Sequence, residues 1–355
     1  MMDLSLHKQL FPLLSLLLIL FLSGQRMQAE ANNSLQNPQL CEPTKKLFVF
    51  GDSYADTGNI RKSLSNSWKD PYGITFPGKP AGRFSDGRVL TDYIAKYLGV
   101  KTPVPYRFRK QMAQQLKYGM NFAVGGTGVF DTSTPGPNMT TQIQLLEQLI
   151  HDGLYTASDL TNSIALVSVA GNDYSHYLAT HASPQGLPYF VASVVNQTTR
   201  NLMRIKALGV KKIIVGSLQP LGCLPQVTAF SSFQQCNASS NTLVAFHNNL
   251  LNQAVTNLNQ SWSSSFAVLN LYDSFMSVLN HPTTHNIQNQ LRPCCVGVNS
   301  KYSCGSVDEN NVKMYRVCDD PKSAFFWDLV HPTQAGWHAV YNKLRTMNAL
   351  QGIQF

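Results

Sequence analysis

Only 13% of this 355-residue sequence is charged, and acidic side chains are the scarcer sign: 19 Asp and Glu against 28 Lys and Arg, a formal net charge of +9. With 43% hydrophobic residues, that excludes a disordered, highly charged chain and describes a globular protein. Long apolar runs are nearly missing as well. The single candidate, Leu10 to Leu22 behind Lys8, is too short to span a bilayer and has the form of a signal-peptide core, with Ser23, Gly24 and Ala29 following it. Residues 1–29 are therefore expected to be a cleaved signal peptide and 30–44 an N-terminal extension. No second apolar run follows and the C-terminal residues are not a retrieval signal, so a secreted, extracellular protein with no transmembrane anchor is expected. There are no internal repeats and no paired C-x-x-C motifs.

What is present fits that compartment. Of seven cysteines, Cys294, Cys295, Cys304 and Cys318 crowd into one stretch, but their spacing is not that of zinc knuckles, and disulfides suit an oxidising compartment better. Cys223 with Cys236, local and isolated, is the pair read with most force; seven being odd, one thiol stays free or pairs between chains, and Cys41 has no assigned partner. Asn-x-Ser/Thr acceptors stand at Asn32, Asn138, Asn196, Asn237 and Asn259. The basic residues are scattered, with Arg107-Phe108-Arg109-Lys110 the densest group. They read as solvated surface, with attraction to an acidic matrix as the sharper alternative and nucleic acid excluded outside the cell.

Strand-like segments recur at Leu47–Phe50, Met120–Val124, Ile164–Val169, Lys212–Val215 and Phe266–Leu271. Helical periodicity lies between several of them, at Val89–Leu98, Pro188–Leu208 and Thr242–Leu258, and again at Thr333–Leu350. Alternation of this kind predicts a parallel sheet with helices on both faces, in one domain spanning 45–355. Residues 60–118 break the pattern: rich in Pro, Gly and aromatics, they are expected to build a wall of the site.

The chemistry gathers after the strands. Ser53 follows the first, Gly125-Gly126 the second and Asn172-Asp173 the third, while Asp328 and His331 stand near the end of the sequence. A parallel sheet collects such residues at the carboxyl ends of its strands. A serine hydroxyl needs an imidazole to take its proton, the imidazole needs a carboxylate on its other nitrogen, and an ester carbonyl under attack needs donors for its oxyanion. Ser53, His331 and Asp328 supply the first three. The N–H groups of Ser53 and Gly126 and the Asn172 amide are candidates for the last. Taken singly, each has a duller explanation: Ser53 as a helix cap, Gly126 as a turn, Asn172 as an Asx-turn. The elbow of the α/β-hydrolase fold is excluded, because Ala55 stands where G-x-S-x-G requires glycine.

These blocks resemble those of the GDSL esterase/lipase family of the SGNH hydrolase superfamily, in its secreted plant branch. Gly51-Asp52-Ser53 with Asp56-Thr57-Gly58-Asn59 matches the first block, Asn121 to Gly126 the second, Gly171-Asn172-Asp173 the third and Asp328 to Thr333 the last. Gly82 to Arg88, Pro220 to Pro225, the Cys294-Cys295 pair and Phe326-Trp327-Asp328 are similar too. The resemblance implies a flavodoxin-like three-layer α/β/α sandwich with a central parallel sheet. It also implies Ser53 as nucleophile, His331 with Asp328 as base and orienter, Gly126 and Asn172 completing the oxyanion hole, and ester hydrolysis without metal or cofactor. The expected substrate is a small-molecule or lipid ester, with a cell-wall ester as an alternative, and the expected state is a monomer. An acyltransferase using the same residues, a polysaccharide acetylesterase and a non-catalytic binding module are the rival functions. Tyr54 departs from the pattern, standing where the name motif has leucine.

Overall fold

The first strand, β1 (Lys46–Gly51), is buried along its whole length, as a strand covered on both faces must be. Its alternation sorts two cores: Leu47 and Val49 pack on one side of the sheet, Phe48 and Phe50 on the other. The structure, a computed structural model, describes residues 45–180, 184–281, 286–347 and 350. The expected signal peptide, the N-terminal extension, Asn32 and Cys41 lie outside the described residues.

Parallel pairing joins β1 to β3 (Gly119–Asn121) and to β4 (Ser163–Ser168). It continues from β4 to β5 (Lys212–Gly216) and from β5 to β6 (Phe266–Leu269), while the short β2 (Val104–Pro105) closes the other edge. The order is β2-β3-β1-β4-β5-β6. Without the added edge strand, this is the doubly wound flavodoxin-like order, whose switch point lies beside the first strand. Helices α1 (Leu90–Tyr97), α8 (Leu271–Asn280) and α9 (Gln334–Thr346) cover the Leu47 face through Ile94, Phe275 and Trp337. Helices α2 (Met139–His151), α5 (Leu187–Ala207) and α7 (Ala238–Trp262) cover the Phe48 face through Ile143, Leu202 and Leu251. Two short helices, α3 (Ala157–Thr161) and α6 (Pro225–Thr228), and the ten-residue α4 (Gly171–Thr180) complete the set among the described residues. The expected three-layer α/β/α architecture is the one observed.

Local chemistry explains where element bounds differ from the sequence reading. Leu271 belongs to α8 and not to the preceding strand, because the Asn270 side chain caps that helix by accepting from Asp273 N–H. Helix α7 starts four residues early, at Ala238, because Asn237 caps it through Ser240 N–H. Phe122 and Val124, expected in the second strand, lie past its end, yet their N–H groups still donate to the carbonyls of Val49 and Gly51. Helices α2, α4 and α8 had no counterpart in the reading of the sequence.

A second, antiparallel sheet of β7 (Cys295–Gly297) and β8 (Tyr315–Val317) is stapled by Cys294–Cys318 and Cys295–Cys304, and Cys223–Cys236 bridges a separate loop. This small sheet holds the segment that leads into Asp328: Cys294 N–H donates to the Phe326 carbonyl and Cys295 N–H to that of Trp327. No helix among the described residues is long and apolar enough to cross a membrane.

Candidate active site

Because β1 lies between β3 and β4, the residues that follow these three strands meet at one place. Ser53 ends β1 in a turn closed by Ala55 and Asp56 N–H donating to the Asp52 carbonyl. Gly125-Gly126 follows β3 and Gly171-Asn172 follows β4. Across that edge comes the turn before α9. Its Asp328 Oδ1 accepts from the N–H groups of Val330 and His331, so carboxylate and imidazole are held in one turn. Both Asp328 oxygens lie 2.9 Å from His331 Nδ1, and His331 Nε2 lies 2.8 Å from Ser53 Oγ. A carboxylate at Nδ1 requires the proton there, which leaves Nε2 to accept from the serine hydroxyl. All three residues keep less than a tenth of their full exposure.

Electrostatics separate two neighbouring carboxyls. Burial pushes Asp52 up to about 7, since its one backbone donor, Tyr54 N–H, does not offset desolvation. Burial also works against an ionised Asp328, but the facing His331 and the N–H donors outweigh it and hold the carboxyl below its usual range. Asp328 is thus the carboxylate that stays charged beside the imidazole, while Asp52 shapes the turn.

The glycines have distinct reasons. Gly126 has φ +80°, and a Cβ there would stand 2.3 Å from Thr134 Oγ1; at Gly125 it would enter the Phe84 ring. That ring also lies 4.8 Å from the His331 ring, so Phe84 of the Gly82–Arg88 segment packs between the glycine turn and the imidazole. Asn172 Nδ2 donates to the Thr127 carbonyl and Asp173 accepts from the N–H groups of Val129 and Phe130, which ties the start of α4 to the loop carrying Gly126. Just before them Ala170 takes φ +105°, a strained setting for a residue with a Cβ.

Three residues were not singled out from the sequence for this site. Asp56 accepts from Gly58, Asn59, Ile60 and Gly125 N–H, tying the serine turn to the glycine turn, and burial pushes its carboxyl up to about 6. Tyr72, from the irregular 60–118 segment, donates to Asp328 Oδ2. Tyr54 donates to the Val330 carbonyl, next to His331, with its ring edge-on to the imidazole. The one signal for the last was its departure from leucine.

Of the described sequons, Asn196 and Asn237 are exposed, while the Asn138 and Asn259 amide nitrogens donate to Asp131 and to the Phe266 carbonyl. Among the described residues, no group of three or more His, Cys, Asp or Glu is placed to hold a metal ion.

The sequence pattern of the GDSL-like lipase/acylhydrolase family matches residues 47–344. The chain belongs to that family. Two GDSL esterase/lipases of Arabidopsis thaliana are each 55% identical to it, one across 96% of this chain and 97% of its own length, the other across 84% and 87%. An acetylxylan esterase of Geobacillus stearothermophilus, of known structure, aligns over 86% of this chain and 94% of its own at 12% identity and a TM-score of 0.37, a distance at which nothing about substrate carries over. As a GDSL-family member the protein is a carboxylic ester hydrolase.

Proposed function

We propose that this ester hydrolase works through an acyl-enzyme on Ser53 and acts as a secreted enzyme on small or lipid acyl esters. The observation that carries the mechanism is the unbroken line from Ser53 Oγ through the His331 ring to Asp328. Ser53 Oγ attacks the ester carbonyl as its proton passes to His331 Nε2, and Asp328 stabilises the imidazolium through Nδ1. The negative charge on the carbonyl oxygen is met by Ser53 and Gly126 N–H and by the Asn172 amide. His331 then protonates the departing alcohol, and water, activated by the same imidazole, releases the acid. Support for export is the N-terminal apolar run together with three disulfides joining six of the seven cysteines.

The test is Ser53→Ala and Asp328→Asn on p-nitrophenyl esters of graded chain length, with a fluorophosphonate probe on the unaltered protein. Hydrolysis is expected to fall by ~10⁴-fold in both variants without loss of fold, and the probe to label Ser53. Full activity in Ser53→Ala overturns the mechanism.

A further inference from the structure

Two adjoining cavities open beside the glycine turn. The inner, of about 350 Å³, is walled by Ile60, Phe122, Val124, Pro135, Pro137 and Leu145, and Val124 lies two residues before Gly126. The outer, of about 670 Å³, shares Asn59, Arg61, Tyr106 and Arg107 with it and adds Lys62 and Arg109. No acidic side chain lines either. Among the described residues none of these four cations has a carboxylate within ion-pair distance, unlike Lys46, Arg83 and Arg204 elsewhere. Three are held in place by other means. Arg107 donates to the Ile60 carbonyl, Arg109 lies 3.9 Å from the centre of the Tyr106 ring, and Lys62 lies over Trp68. Four positive charges, three of them held in place, around an apolar hollow are a recognisable ligand specification.

We propose that this is a binding site for an aliphatic carboxylate, its chain in the inner cavity and its head group between Arg61 and Arg107. The volume lies within the ~300–1,000 Å³ of ordinary ligand pockets. The interior argues against a sugar chain. Its one side-chain amide, Asn59, is spent: Nδ2 donates to the Asn121 and Ala123 carbonyls and Oδ1 accepts from Arg107 N–H. Hydroxyl groups entering there would lose water and find few partners, whereas a hydrocarbon chain loses nothing. The outer ring argues against a neutral lipid, since paired guanidinium groups suit a carboxylate. Choosing carboxylate over other anions rests on the ester-hydrolase reading, because an acid is what ester cleavage releases. The basic run Arg107-Phe108-Arg109-Lys110 thereby serves, in part, a site and not only a solvated face.

The experiment titrates decanoate, below its micelle-forming concentration, into the full-length Ser53→Ala protein, followed by calorimetry, so that binding is read without catalysis. Saturable binding is expected, weakened about tenfold or more by Arg61→Gln with Arg107→Gln, and weakened by salt. Leu145→Trp, which fills the inner cavity and leaves the cations alone, should abolish it. Decanol binding as tightly as decanoate, decyl phosphate binding more tightly, an acidic sugar oligomer binding where decanoate does not, or both variants binding like the parent overturns the proposal. None of these results bears on the loss of hydrolysis in Ser53→Ala.

Discussion

Tyr72 donates its phenolic hydrogen to Asp328 Oδ2 over 2.7 Å, joining residues 256 positions apart. The same oxygen faces His331 Nδ1, so the phenol shares the carboxylate with the imidazole. Tyr72 is itself buried against Trp327, and this burial, followed by the nearby Asp328 charge, raises its hydroxyl well above the usual tyrosine range. It therefore remains a donor at every working pH. Tyr72→Phe is expected to lower kcat by about tenfold with KM unchanged, because the Asp328 carboxylate loses a contact that fixes its position against His331 Nδ1. The carboxylate, relieved of that donor, holds the imidazolium more firmly, so the acid limb of the kcat/KM profile should move to higher pH. Steady-state kinetics across pH checks both, and an unmoved profile rejects the role.

Tyr54 braces the other side of the same turn. Tyr54→Leu restores the residue of the name motif but leaves the Val330 carbonyl without its donor and removes the ring beside His331. A loss of about 1–3 kcal/mol is expected, seen as a Tm lower by several degrees, together with reduced kcat. Tyr54→Phe keeps the ring and separates the two contributions: it should recover kcat more than stability.

At Gly126 conformation and space coincide. Gly126→Ala forces a Cβ into Thr134 at a φ of +80°, which displaces the N–H that the proposed mechanism assigns to the oxyanion. Hydrolysis is expected to fall on the order of 10²-fold, as for loss of one oxyanion donor. Adding Thr134→Ala clears the space but not the backbone strain, so it should not restore the rate.

The buried pair Tyr174–His247 sets a stability dependence on pH. Tyr174 Oη lies 2.6 Å from His247 Nδ1, and burial pushes the imidazole down to about 4. The unfolded chain therefore takes up the histidine proton near pH 6.5 and the folded chain only near 4, so this residue's contribution is complete above about 6.5 and is lost as pH falls to about 4. Because the raised carboxyls of Asp52 and Asp56 act in the opposite sense, the residue's own effect is read as a difference: the Tm of His247→Gln relative to the parent should rise as pH falls across that window. A difference that does not change with pH would refute the assignment.

The sheet and its helices were legible because strand residues such as Leu47 to Phe50 are apolar at every position and α5 and α9 repeat with helical period. Helix α4 was hidden because Asn172 and Asp173 look like turn residues; they open the helix, and the strained Ala170 before them has no sequence signature. Residues 60–118 were readable as a wall but not as to which residue faces what. Tyr72 meets Asp328 only through the long-range packing of a loop, and neither composition nor periodicity encodes such a contact. That Ser53, Gly126, Asn172, Asp328 and His331 would gather at one edge of the sheet was legible from their order, each following a strand or preceding the last helix. The cation-rimmed hollow was invisible for the opposite reason: Arg61 and Arg107 belong to segments that sequence separates.

The hydrogen bond from Ser53 to His331 spans 278 residues. During synthesis the serine emerges long before its base, and the base is positioned only when the β7–β8 sheet and α9 are in place around its turn. An unfinished or unfolded chain thus exposes an ordinary alcohol with no base beside it. Under the proposed mechanism the activity exists only once the chain is complete through His331 and folded around it, so a protein of this design requires no separate inhibitory segment while it is being made.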